Sequence, residues 1–243
     1  MKTQTIQLTH ETVTLTTYLL DASPEMADRR VRPAVLICPG GGYRFCSDRE
    51  AEPIAMAFLA EGYQAFILRY SLNDQAAFPQ PLSDAEEALE LIRRKSREWH
   101  VDPKRIAACG FSAGGHLAAA LGTMGRVRPA ALILAYPCIL ESMSKILPWP
   151  VPSLEKEVDA QTPPTFIFTT STDVVVPVEN SLEFATALSQ AGIPFEMHVF
   201  HEGIHGLSLA KPLTANGNAD MVDARAAGWV GLCMSWLEKV FGQ

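Results

Sequence analysis

Six short, largely apolar segments punctuate this chain: Ala34–Cys38, Ala65–Tyr70, Arg105–Gly110, Ala131–Tyr136, Thr165–Thr169 and Phe195–Phe200. A strand with one wet face alternates apolar and polar side chains. A run that is apolar at nearly every position must be covered on both faces, which is the environment of a parallel sheet sandwiched between helices. Parallel neighbours need crossover connections, and stretches of helical periodicity fall between the runs. The expected fold class is therefore α/β, with six parallel strands. Ahead of them, Thr3–Leu8 and Thr12–Leu19 do alternate, with His10-Glu11 between them. They predict an antiparallel N-terminal hairpin at the sheet edge, giving a mostly parallel sheet of about eight strands with helices on both faces.

The clearest helix is expected over Leu82–Trp99, where Ala85, Ala88, Leu89, Ile92 and Trp99 share a face. Ser83 and Glu86 have capping-box spacing. Asp84, Glu86, Glu87 and Glu90 gather near the start, while Arg93, Arg94, Lys95 and Arg97 gather at the end, as the helix dipole favours. The basic run reads as a solvated helix end. Residues 138–164 break the rhythm with Pro148, Pro150, Pro152, Pro163 and Pro164. That segment is expected to be a short Pro-rich lid inserted in a single domain, 1–243.

Composition excludes several classes of function. The formal net charge of −7 repels nucleic acid and anionic lipid. The longest apolar run, Ala130–Leu140, contains Pro137 and is far shorter than the roughly 20 residues a bilayer requires. No membrane or nucleic-acid partner is expected. With no apolar leader after Lys2, the expected location is cytoplasmic. Cys38, Cys46, Cys109, Cys138 and Cys233 form no CxxC pair, and HExxH is missing, so neither a disulfide framework, a metal nor another cofactor is expected.

The chemistry is carried by Gly110-Phe111-Ser112-Ala113-Gly114, a GxSxG that follows a buried run and precedes the small-residue helix Gly115–Gly122. A serine on such a strand-to-helix turn presents its hydroxyl above the sheet as a nucleophile. It needs a base and donors for an oxyanion. Pro39-Gly40-Gly41-Gly42-Tyr43, after the first buried run, offers the N–H groups of Gly41 and Gly42, to which Ala113 adds its own. Asp173 follows the Thr165–Thr169 run, with Pro177 suited to the first turn of the next helix. His205, between Gly203 and Gly206, follows the last run. The chain order Ser112, Asp173, His205 is that of α/β-hydrolase serine enzymes, not of trypsin-like or subtilisin-like proteases. His201 is the rival base; Asp159 and Glu202 are rivals for the acid. His10, His100, His116 and His198 read as structural or surface residues, with His116 placed to support the site from beneath.

From the Pro39–Tyr43 loop to Leu209 the chain resembles compact bacterial acetylesterases and acetyl-xylan-esterase-like members of the α/β-hydrolase superfamily. The resemblance rests on Pro39-Gly40-Gly41-Gly42-Tyr43, Leu68-Arg69-Tyr70, Gly110 to Leu117, Asp173 with Val176-Pro177, and Gly203-Ile204-His205-Gly206. It implies the α/β-hydrolase fold and a serine carboxylesterase that removes short acyl groups, often acetyl groups on sugars, from small-molecule esters. Lipase-like relatives of the hormone-sensitive type carry His-Gly-Gly-Gly where this chain has Pro39-Gly40-Gly41-Gly42, which places it nearer the carbohydrate-esterase branch. A peptidase, amidase or formamidase with the same three residues, an acyl-transferase, and a non-catalytic binder on the same fold are the competing readings.

Overall fold

The computed structural model describes residues 1–73 and 77–242. Eight strands form one sheet in the order β1-β2-β4-β3-β5-β6-β7-β8. They are β1 Lys2–Gln7, β2 Thr14–Leu19, β3 Arg32–Cys38, β4 Gln64–Arg69, β5 Val101–Phe111, β6 Ala131–Ala135, β7 Thr165–Thr170 and β8 Phe195–Phe200. The expected hairpin is present: β1 pairs antiparallel with β2, and β2 pairs antiparallel with β4. From β4 to β8 every pairing is parallel. Helices α1 Glu52–Ala60, α2 Gln80–Arg94, α3 Ala113–Thr123, α4 Glu179–Gln190, α5 Pro212–Ala215 and α6 Trp229–Phe241 fill the connections.

Alternate residues of each central strand feed two cores, as the period of two requires. Leu36, Ala108 and Leu134 pack with α2, α3 and α4 on one face, joined by Met143, Leu147, Val151 and Leu154 from the Pro-rich insertion. Val35, Cys109 and Ile133 pack with α1 and α6 on the other, around Phe58 and Trp229. The insertion forms two short 3₁₀ turns, Glu141–Lys145 and Leu154–Glu157, and is fastened by its buried side chains rather than left hanging as a flap.

Three local expectations are corrected. The last run is not covered on both faces: β8 ends the sheet, and Phe195 and Val199 are exposed. Helix α2 begins at Gln80 and ends at Arg94, with Trp99 in the turns beyond, and Ser83 and Glu86 form no capping box. Instead the Glu86 carboxylate accepts the Arg126 backbone N–H at 2.7 Å and its guanidinium at 2.6 and 2.8 Å. Asp84 likewise leaves the helix surface to accept the Ser71 N–H at 2.8 Å. Tertiary hydrogen bonds, not the helix dipole, place these two acids. Pro177 lies ahead of α4, whose N-cap is Val178.

Candidate active site

Every side chain expected to do chemistry lies in a connection at the carboxyl ends of the parallel strands, where open α/β sheets hold their sites. Ser112 joins β5 to α3 with φ 54° and ψ −116°, a conformation that costs a non-glycine residue on the order of 1–3 kcal/mol. The turn is held by its neighbours: the Ser112 N–H donates to Ala135 O and the Cys138 N–H to Ser112 O, each at 3.0 Å. Gly114 makes the sharp turn possible. A Cβ there would lie 2.0 Å from Cys38 O, because the start of α3 crosses directly over the end of β3.

The structure brings the three expected residues together. Ser112 Oγ lies 2.7 Å from His205 Nε2, and His205 Nδ1 lies 2.6 Å from Asp173 Oδ2. A carboxylate only accepts, so Nδ1 carries the proton and Nε2 is free to accept from the serine hydroxyl. The other Asp173 oxygen accepts the N–H groups of Val175 and Val176, both at 2.9 Å. With its side chain only 1% exposed, the carboxylate has a fixed direction. His205 is held in turn by its loop: the Thr170 hydroxyl donates to Gly203 O at 2.7 Å and Arg49 Nη1 to Gly206 O at 3.1 Å. The Tyr136 ring meets the imidazole edge-on, centroids 5.1 Å apart.

The rivals lie elsewhere. His201 is 80% exposed and faces Glu202 at 3.4 Å, while Asp159 is taken by Arg128. Cys138 reaches Ser112, but burial pushes its thiol up to about 12, so it stays protonated and is no competing nucleophile.

The Gly loop passes over Ser112. Gly40 donates its N–H to Glu50 Oε2 at 2.8 Å, and Gly41 bends the chain at φ +130°, where a Cβ would meet Phe45 O at 2.0 Å. Among the described residues no protein acceptor takes the N–H of Gly41 or Gly42. The Ala113 N–H stands in the first turn of α3, which has no intrahelical acceptor. His116 is fully buried beneath: Nδ1 pairs with the Tyr43 hydroxyl at 2.9 Å and Nε2 with Pro152 O at 3.2 Å. It thus ties the Gly loop to the insertion, in the supporting place the sequence suggests. Burial pushes its pKa down to about 4.

Ser112, His205, Gly41 and Gly42 face a cavity of about 580 Å³, walled by Phe45, Cys138, Ile146, Leu147, Val174 and Val175. Ile146 and Leu147 belong to the insertion, which is therefore a wall of the cavity. Glu50, Arg49 and Tyr136 also belong to this neighbourhood and were not singled out from sequence. The one available signal was the position of Tyr136 at the carboxyl end of a parallel strand. Among the described residues no group of three His, Cys, Asp or Glu side chains could hold a metal ion, and no helix is long and apolar enough to cross a membrane.

The fold recurs in a crystal structure of MGS-M1, described as an α/β hydrolase enzyme from a Medee basin deep-sea metagenome library. It is 46% identical, covers 100% of this chain and 98% of its own, and superposes with a TM-score of 0.95. The chain belongs to the α/β-hydrolase family. A second structure, the acetyl ester-xyloside bifunctional hydrolase from Caldicellulosiruptor lactoaceticus, is 36% identical over 94% of this α/β hydrolase and 88% of that chain, with a TM-score of 0.81. Family models match in two parts: BD-FAE over residues 20–135, and the prolyl oligopeptidase family over residues 148–222. Curated relatives include endo-1,4-beta-xylanase B of Butyrivibrio fibrisolvens, 37% identical over 74% of the chain. Another is the acetylxylan esterase of Xylanibacter ruminicola, 29% identical over 71%. The chain spans only 33% of the first and 40% of the second. By these relationships the α/β hydrolase is similar to proteins named as an acetylxylan esterase and as an acetyl ester-xyloside hydrolase.

Proposed function

We propose that this α/β hydrolase is a serine esterase that removes short acyl groups, acetyl above all, from small carbohydrates such as acetylated xylo-oligosaccharides. The observation that carries the reading is the unbroken chain of contacts from Ser112 Oγ to His205 Nε2 at 2.7 Å and from His205 Nδ1 to Asp173 at 2.6 Å, opening on one cavity. Ser112 attacks the ester carbonyl while His205 takes its proton. Asp173 fixes the tautomer and stabilises the imidazolium that forms. The N–H groups of Gly41 or Gly42 and of Ala113 receive the developing oxyanion. The alcohol leaves with the proton from His205, and water then cleaves the acyl-enzyme by the same path in reverse.

Short acyl groups are favoured because the insertion is packed down through Met143, Leu147, Val151 and Leu154, holds only short 3₁₀ turns, and so supplies no long helical cap for an extended acyl chain. The sugar comes from the relatives, one named acetylxylan esterase and another acetyl ester-xyloside bifunctional hydrolase. One observation favours a second reading, cleavage of amides or peptides: the prolyl oligopeptidase family model covers the segment containing Asp173 and His205. Kinetics on p-nitrophenyl acetate, butyrate, octanoate and palmitate, beside acetylated xylo-oligosaccharides and a peptide p-nitroanilide, separate the two. The esterase reading expects kcat/KM to be highest for acetate and release of acetate from the oligosaccharides. A maximum at octanoate or beyond contradicts the short-acyl assignment, and faster anilide than ester cleavage contradicts the esterase assignment.

A further inference from the structure

Glu50 is the single acid among the residues lining the Ser112 cavity, and the chemistry above makes no use of it. It closes the 3₁₀ turn Asp48–Glu50 and is 3% exposed. Its two oxygens face two different parts of the site. Oε2 accepts the Gly40 N–H at 2.8 Å, and Oε1 accepts the Tyr136 hydroxyl proton at 2.6 Å. Tyr136 Oη in turn accepts the N–H of Ser208 at 2.9 Å, three residues beyond His205. The approach on the Gly40 side is close: a Cβ on that glycine would stand 2.6 Å from Oε2 and 3.1 Å from Ser112 Cβ.

Both partners of the carboxylate are donors, so the ionised form satisfies them and a protonated form would bring an extra donor with no acceptor waiting. Burial pushes the Glu50 pKa up, and the bonds from Tyr136 and Gly40, the Arg49 charge and His205 in its protonated form pull it back. The groups that face it are Arg49 on its own turn, His205 on the β8 loop, Tyr136 after β6, Tyr70 after β4 and Cys109 on β5. Of these, His205 is the one whose charge changes during the proposed reaction.

Resting on the esterase reading, we propose that Glu50 is a positioning residue. Its carboxylate fixes the Gly40–Gly42 loop on one side and, through Tyr136 and Ser208, the His205 loop on the other. Its negative charge also favours the imidazolium that forms when His205 takes the Ser112 proton. The oxyanion donors and the base are thereby braced against one buried anion, so that neither has to reorganise as charge develops.

The test is Glu50→Gln, which keeps the shape and one accepting oxygen but removes the charge and leaves a donor facing a donor. The readouts are kcat, KM and the pH profile on p-nitrophenyl acetate, with active sites titrated by a fluorophosphonate so that kcat is counted per competent molecule. We expect KM within about two-fold of wild type and kcat lower by about 10- to 100-fold, the scale for residues that orient a reacting group from behind. The acid limb of the profile should move to lower pH by roughly half a unit, because the imidazolium loses a neighbouring anion. A merely structural brace would lower the titrated fraction and Tm while leaving per-site kcat and the limb in place, and that result overturns the proposal. Should Glu50→Gln fail to fold, Tyr136→Phe carries the test: it breaks the relay to Ser208, and kcat should fall about five-fold or more at unchanged KM. Wild-type kcat in that variant overturns the proposal. Wild-type protein that neither hydrolyses the ester nor takes the label removes the esterase reading itself, a result distinct from normal turnover with an unaltered variant.

Discussion

Replacing His116 by Gln and following urea unfolding from about pH 7.5 to about pH 4.5 isolates the cost of charging one buried imidazole. In the fold this ring is fully enclosed on α3 between the Tyr43 hydroxyl and the Pro152 carbonyl. The carbonyl only accepts, so Nε2 holds the proton and Nδ1 accepts from Tyr43. Burial pushes the pKa down to about 4, opposed only by the bond to Pro152, whereas an unfolded histidine titrates near about 6.5. Between those values the unfolded chain takes up a proton that the folded chain refuses. The stability contributed is therefore complete above the unfolded value and falls as pH drops toward about 4. The linkage relation gives a loss of about 2 kcal/mol by about pH 5 and roughly 3 kcal/mol by about pH 4, against a total stability of about 5–15 kcal/mol for a typical domain. Glu50 acts with the opposite sign, since its raised pKa makes the folded state bind its proton first as pH falls. The informative quantity is accordingly the difference between wild type and variant. His116→Gln should be less stable near neutrality, by about 1 kcal/mol or more for disturbed hydrogen bonds, yet should lose about 2 kcal/mol less than wild type between about pH 7.5 and about pH 5. Parallel stability curves for the two proteins over that range would show that the buried His116 ring carries no such penalty for charging.

The remaining expectations concern turnover and packing. Ser112→Ala should fold normally and lose activity on the order of 10⁵–10⁶-fold. His205→Ala should be nearly as damaging while His201→Ala, at an exposed site, should be mild; p-nitrophenyl acetate rates for the three variants check this, and a reversal of the two histidine effects would move the base to His201. Gly114→Ala forces a Cβ to within 2.0 Å of Cys38 O, so it should lower stability by about 2 kcal/mol or more, seen as a reduced urea midpoint; an unchanged midpoint would show that α3 can lift off β3 freely. Prolonged EDTA treatment should leave the acetate rate intact, since no suitable ligand cluster exists among the described residues, and strong inhibition would call for a metal-dependent step.

What the sequence made legible and what it hid divide along a physical line. Continuous apolar runs announce burial on both faces, so β3 to β7 and the parallel topology followed from pattern. The alternating hairpin announced itself in the same way. Ser112, Asp173 and His205 were legible because each stands beside local punctuation, glycines or a strand end, that marks a connection at one edge of the sheet. Glu50 carries no such mark. Its burial comes from partners distant in sequence, Gly40 on one side and Tyr136 on the other, and a charged residue within Ser47-Asp48-Arg49-Glu50-Ala51 reads as surface. The same blindness to long-range partners turned Glu86 into a helix cap, when it holds Arg126 instead. It also made β8 look enclosed, whereas β8 ends the sheet and leaves Phe195 and Val199 exposed.

Covalent labelling decides whether Ser112 is the nucleophile of a covalent esterase mechanism. The protein is treated with one equivalent of a fluorophosphonate, its acetate-ester activity is followed to completion, and the adduct is mapped by peptide mass spectrometry. A single adduct on Ser112, activity lost in proportion to labelling, and no labelling in Ser112→Ala are expected. An adduct on another residue, or full activity retained after stoichiometric labelling of Ser112, would contradict it.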